Sequence, residues 1–226
     1  MLVPTRNATK RVVATAKKYG CTQVWFGAAA PLGLMAPALK RAGVVRSLAT
    51  THGHEVWWAK TPGSRQLLRR IGESVDSITY LGEYTRSRIA DVLSTRAISA
   101  MRQLTPGVDE KHFHPGIDAT DLREKLGIGD RPVIVVVGRL VHRKGQDRLI
   151  DALPLIHKEI PRAALLICGE GPLRSDFEKQ AAKLHLTDDV FFTGRLSWED
   201  LPRYLSVGDV FAMPSRNRLG GLEVEG

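Results

Sequence analysis

The sequence predicts an α/β protein made of two Rossmann-like, parallel-sheet domains in series, and three observations carry that expectation. Short β-branched runs alternate with helical stretches of about ten residues, the signature of parallel βαβ units. The run Pro132-Val133-Ile134-Val135-Val136-Val137 is apolar without alternation, as a strand covered on both faces must be. Between two such series, Leu104-Thr105-Pro106-Gly107-Val108-Asp109 and His112-Phe113-His114-Pro115-Gly116 crowd turn formers together and hold no long apolar period. That break divides the chain into a first domain at 1–105, a linker at 106–131 and a second domain at 132–226.

In the first domain a basic amphipathic helix is expected over 8–18, a strand over 23–26, a helix over 32–41 and a strand over 45–50. The second strand runs into Thr51-His52-Gly53-His54-Glu55, which puts polar groups just past its carboxyl end, the edge where open α/β sheets bind ligands. A helix near 64–72, a strand at 77–81 and a helix near 83–92 continue the alternation. In the second domain the strand at 132–137 ends at Gly138-Arg139. The series goes on through helix 146–159, strand 163–168, the turn Gly169-Glu170-Gly171-Pro172, helix 173–185, strand 190–193, helix 198–207 and strand 210–213.

With 226 residues, 43% of them hydrophobic, the chain can bury one substantial core or two small ones, so disorder is not the default. No apolar stretch approaches the roughly 20 residues of a membrane span. The opening Met1-Leu2-Val3-Pro4-Thr5-Arg6 lacks the charged start and apolar core of a secretory signal, so a cytosolic chain is expected. Cys21 and Cys168 each sit in an apolar segment with no partner at metal-ligand spacing, and both are expected to be reduced and buried. The net charge of +9 is lopsided: residues 1–105 hold 16 Lys/Arg against 5 Asp/Glu, the remainder 17 against 19. A basic domain beside a near-neutral one suits an anionic partner, either acidic lipid headgroups or nucleic acid, although a merely solvated basic face would read the same.

The most informative segment is Gly138-Arg139-Leu140-Val141-His142-Arg143-Lys144-Gly145-Gln146-Asp147. It joins a buried strand to a helix whose N-terminal amides favour anions, and Arg139 with Lys144 can close on a diphosphate from two sides. Arg139, Arg143 and Lys144 would equally suit a solvated strand-to-helix loop. Gly169 and Gly194-Arg195 follow strands at the same edge, where glycine admits a ligand to the backbone or simply makes a turn. His52 could donate to a ligand hydroxyl or carry a proton near neutral pH, or be a loop histidine bonded to backbone. At alternating positions His52 and His54 would point to opposite sides unless the loop turns, and no third ligand stands nearby, so no metal is expected. Trp57 and Trp58 follow, and at least one is expected in the core.

Six segments in order resemble the retaining glycosyltransferases of the GT-B fold. They are Thr51-His52, Thr105-Pro106-Gly107-Val108-Asp109 with Phe113-His114-Pro115, Gly138-Arg139 to Lys144-Gly145, Gly169-Glu170-Gly171-Pro172, Phe192-Thr193-Gly194 and Met213-Pro214-Ser215. The wording from Thr51 to Trp58, with Ser215-Arg216 before a Gly-rich stretch ending Val224-Glu225-Gly226, looks like the actinobacterial GDP-mannose-dependent enzymes acting on phosphatidylinositol monomannoside. The resemblance implies that Gly138, Arg139 and Lys144 hold the diphosphate of GDP-mannose, and that His52 is the catalytic-site histidine over the transferred mannose. It implies that Glu225 contacts the donor sugar and that Gly169, Gly194 and Arg195 form nucleotide loops. The implied reaction is transfer of mannose with retained configuration to a phosphatidylinositol mannoside, without metal or cofactor. Its place would be the anionic inner face of the plasma membrane, reached from the cytoplasm, with nucleic acid not a partner.

Against the same family pattern both domains are expected to be incomplete, since the family's opening strand with its Gly-rich loop, and the ribose-binding acid beyond Glu225, have no counterpart here. Two other expectations stand beside transfer: a non-catalytic basic module adhering to anionic lipid or nucleic acid, and an inert fragment.

Overall fold

The computed structural model describes residues 4–216. The chain divides into two compact units, the first running to Gly107 and the second spanning Val108–Arg216.

The first unit runs α1 (Arg6–Lys18), β1 (Gln23–Phe26), a 3-10 turn (Leu32–Met35), α2 (Ala36–Arg41), β2 (Arg46–Thr50) and α3 (Glu55–Lys60). It continues with α4 (Ser64–Ser74), β3 (Ser77–Tyr80), α5 (Glu83–Ala90), α6 (Thr95–Ser99) and β4 (Met101–Gln103). Its four strands pair in parallel in the order β1-β2-β3-β4. Side-chain oxygens start two of the helices: Thr5 Oγ1 accepts from the Ala8 amide at 3.1 Å, and Ser94 Oγ from the Ala97 amide at 3.3 Å. Leu39, Leu68, Ile71, Ile78 and Ile89 close the core. Trp58 packs against that core, whereas Trp57 is 40% exposed.

The expected burial of Cys21 does not hold: it is exposed. It lies outside β1, in the turn that Gly20 makes at φ 61° after α1, so it is not part of the strand that the core covers.

The second unit contains α7 (Thr120–Lys125), β5 (Val133–Val137), α8 (Gln146–Ile156), β6 (Ala164–Cys168) and α9 (Arg174–Lys183). It ends with β7 (Val190–Gly194), α10 (Leu201–Val207) and β8 (Val210–Phe211). All pairings are parallel and the order is β7-β6-β5-β8. β6 is buried at every position because it has helices on both faces. Ile150, Leu153 and Phe177 form the core on one side, and Leu122, Ile128 and Val207 on the other. Since β5 has β6 on one flank and β8 on the other, the strand order reverses there, and such a reversal opens a crevice outside the carboxyl ends.

α10 is regular from Leu201, three residues after the expected Trp198, and Ser197 and Asp200 form the capped turn that leads into it. The Ser197 hydroxyl donates to the Asp200 carboxylate at 2.8 Å and accepts from the Asp200 amide at 3.0 Å. Trp198 is instead stacked on His112 with ring centroids 5.1 Å apart, and Phe113 meets both rings edge-on, so the start of the second unit is pinned to the loop after β7.

Candidate functional site

The second unit gathers its candidate residues around the carboxyl ends of β5, β6 and β7. Val137, Gly138, Arg139, Gly169, Glu170, Arg195 and neighbours line a cavity of about 410 Å³. The loops that form it are bonded to one another through backbone: the Gly138 amide to the Cys168 carbonyl and the Gly169 amide to the Gly194 carbonyl, both at 2.9 Å, and the Leu140 amide to the Glu170 carbonyl at 2.9 Å. Gly169 is required as glycine. Its φ is +139°, and a Cβ there would lie 2.1 Å from the Gly138 carbonyl oxygen.

Lys144 ends a short 3-10 turn (His142–Lys144) and folds back over Gly138, its Cδ 3.6 Å from where a Gly138 Cβ would be. Gly145 then takes the left-handed conformation and α8 starts, so the N-terminus of α8 lies at the same edge as Lys144 and Arg139. Two guanidinium groups, an ammonium group and a helix N-terminus at the carboxyl edge of one sheet can hold a multiply charged anion. Cys168, at the floor, is inert: burial pushes its thiol up to about 11, against a smaller opposing effect of a hydrogen bond with Thr193.

The segment Met213-Pro214-Ser215 lies across this loop. The Pro214 carbonyl oxygen would sit 2.1 Å from a Cβ on Gly145, the Arg216 amide donates to the Arg143 carbonyl at 2.8 Å, and Arg216 pairs with Asp147 at 2.5 Å. Gln146, fully buried, donates to the Arg139 carbonyl at 3.2 Å, and its Oε1 has no partner among the described residues. The sequence signals neither Gln146 nor the Asp147–Arg216 pair as functional, because each acts through a contact made only after folding. Glu225 lies outside the described residues.

In the first unit, the loop after β2 is folded against the loop after β1. His52 Nε2 lies 2.5 Å from the Gly27 carbonyl oxygen and His54 Nε2 lies 2.9 Å from that of Ala30. The two rings therefore do not diverge: Gly53, at φ 95°, turns the chain so that both reach one loop. His52 is exposed at the carboxyl edge of the first sheet. Among the described residues no three His, Cys, Asp or Glu side chains cluster as a metal site would require, and no helix is long and apolar enough to cross a membrane.

Residues 118–226 match the family of glycosyl transferases group 1. Over 227 residues, 100% of this chain and 59% of the relative, the sequence is 44% identical to the GDP-mannose-dependent alpha-(1-6)-phosphatidylinositol monomannoside mannosyltransferase of Mycolicibacterium smegmatis. It is 43% identical over 229 residues, again 100% of this chain and 59% of the relative, to the GDP-mannose-dependent monoacylated alpha-(1-6)-phosphatidylinositol monomannoside mannosyltransferase of Corynebacterium glutamicum. The chain thus spans less than two thirds of these relatives. Among solved structures, Anabaena HepE in complex with UDP and glucose superposes with a TM-score of 0.76 at 19% identity, covering 92% of this chain and 56% of HepE. Sucrose-phosphate synthase from Thermosynechococcus elongatus gives 0.72 at 24% identity, covering 93% and 54%. The expected fold is therefore the observed one: two parallel-sheet units of the GT-B fold, with the match to glycosyl transferases group 1 falling on residues 118–226.

Proposed function

We propose that this chain is the greater part of an enzyme that moves mannose from GDP-mannose to a phosphatidylinositol mannoside with retention of configuration. The observation that carries the reading is the carboxyl edge of the second sheet, where Gly138, Arg139, Gly169 and Arg195 line one cavity and Lys144 lies over Gly138 beside the start of α8. It occurs in a chain 44% identical throughout to a relative named for that reaction. As the glycosidic bond to the donor breaks, negative charge grows on the leaving diphosphate. Arg139, Lys144 and the amides of α8 stabilise that charge from fixed positions, which costs no reorganisation at the moment of reaction. His52 presents its ring to the transferred sugar, and Gly194 and Arg195 border the nucleotide. The excess of 16 Lys/Arg over 5 Asp/Glu in residues 1–105 attracts the anionic acceptor lipid and holds the enzyme peripherally on the inner face of the membrane.

Calorimetric titration of the full chain with GDP-mannose, beside UDP-glucose and a Lys144→Ala variant, tests this. A charge-assisted hydrogen bond contributes about 1.5–3 kcal/mol, so Lys144→Ala weakens GDP-mannose binding roughly 10- to 150-fold. A folded sample that takes up no GDP-mannose overturns the proposal.

A further inference from the structure

The motif Thr51-His52-Gly53-His54-Glu55 ends in a carboxylate for which the reaction described above has no use, yet Glu55 is 0% exposed. A buried carboxylate is costly unless its oxygens are satisfied, and here each has a defined donor. One oxygen, Oε2, accepts from the His52 amide at 3.0 Å. The other, Oε1, accepts from the Ala30 amide at 3.4 Å and lies 3.3 Å from His54 Nε2. Those donors belong to two loops, the one after β1 and the one after β2. The same two loops meet again where the His52 and His54 rings reach the carbonyls of Gly27 and Ala30.

We infer that Glu55 is a positioning residue for His52: its carboxylate joins the two loops and thereby fixes which ring nitrogen of His52 is available to a ligand. Because the Gly27 oxygen can only accept, the neutral His52 ring carries its proton on Nε2, and Nδ1 is left as an acceptor facing away from that bond. If the loops separate, the Gly27 bond is lost and both tautomers become accessible. The inference rests on the proposed role of His52, but the tether itself is a property of the first unit alone.

Glu55→Gln separates charge from shape. An amide has one acceptor oxygen and an NH2 group, so it serves the donors at one of the two positions and opposes an N–H with an N–H at the other. Whichever way it turns, one tether is lost. In 15N NMR of the full chain, Glu55→Gln is expected to accelerate exchange of whichever amide loses its acceptor, His52 or Ala30, about tenfold or more, as loss of a charged bond implies, and to replace the single Nε2–H tautomer of His52 by a mixture. In transfer assays kcat falls about tenfold or more while KM for GDP-mannose stays within about twofold, because the groups proposed to hold the donor's diphosphate and nucleotide lie in the second unit. Glu55→Asp, which keeps the charge but shortens the reach, restores part of both signals. A folded Glu55→Gln protein with wild-type exchange at both His52 and Ala30 and a wild-type His52 tautomer overturns the inference. If the wild-type chain transfers no mannose, the functional proposal fails, and the NMR comparison alone decides whether Glu55 holds His52.

Discussion

Replacing Gly169 by alanine tests the construction of the donor cavity at its tightest point. The new Cβ would lie 2.1 Å from the Gly138 carbonyl oxygen and 2.9 Å from its carbon, with φ at +139°. Such a φ costs a non-glycine residue about 1–3 kcal/mol, and forcing apart a packed contact costs about 1–3 kcal/mol more, for a total of about 2–6 kcal/mol. The loops cannot simply separate, because the Gly138 amide is bonded to the Cys168 carbonyl and the Gly169 amide to that of Gly194, both at 2.9 Å. Moving either loop breaks the last bonds of the sheet beside Arg139. The assay is amide hydrogen exchange at Gly138 and Gly169 combined with urea unfolding and GDP-mannose titration. Even the lower bound of about 2 kcal/mol corresponds to roughly 30-fold faster exchange, and donor affinity should fall with it. Gly107→Ala is the control, since nothing lies within 4 Å of its added carbon, and it should change stability by less than about 0.5 kcal/mol. If Gly169→Ala behaved like that control in all three measurements, the cavity would not depend on the Gly138–Gly169 contact and the reasoning would be refuted.

Two further outcomes follow from the titrating groups. Cys168 is buried with its thiol raised to about 11, whereas Cys21 is exposed, so a thiol reagent applied to the native chain should label Cys21 alone and reach Cys168 only after unfolding; labelling of Cys168 in the folded chain would contradict its placement. Burial opposes ionisation of Asp76, but hydrogen bonds from Lys40 and Ser47 outweigh it and hold the carboxyl below its ordinary value. A carboxyl lowered on folding stabilises the fold above its unfolded pKa and loses that contribution as pH falls through the folded one. Asp76→Asn should therefore be less stable than wild type at neutral pH, with the difference shrinking below about pH 4, and an unchanging difference across that range would count against the assignment.

Much of this protein could be read from local order along the chain. The apolar run ending at Val137 must be a doubly covered strand, and the glycines and cations after it must then lie at a sheet edge, because strand length and side-chain period constrain near neighbours. Elements too short to show a period escaped that reading: α3 has six residues, α6 five and β4 three, and each is held by packing more than by its own sequence. α10 becomes regular three residues after Trp198 because a turn capped by Ser197 and Asp200 leads into it, and Cys21 is exposed because an apolar neighbourhood in the sequence does not tell a turn from the strand beside it.

The sequence by itself determined the α/β alternation, the place of the basic loop after β5 and the set of residues available for an anion. Only the tertiary structure decided which of them meet. Glu55 and Ala30 are 25 positions apart, and Arg216 and Asp147 are 69 apart. Such pairs come together through the order in which strands join their sheet, and local periodicity carries no record of that order.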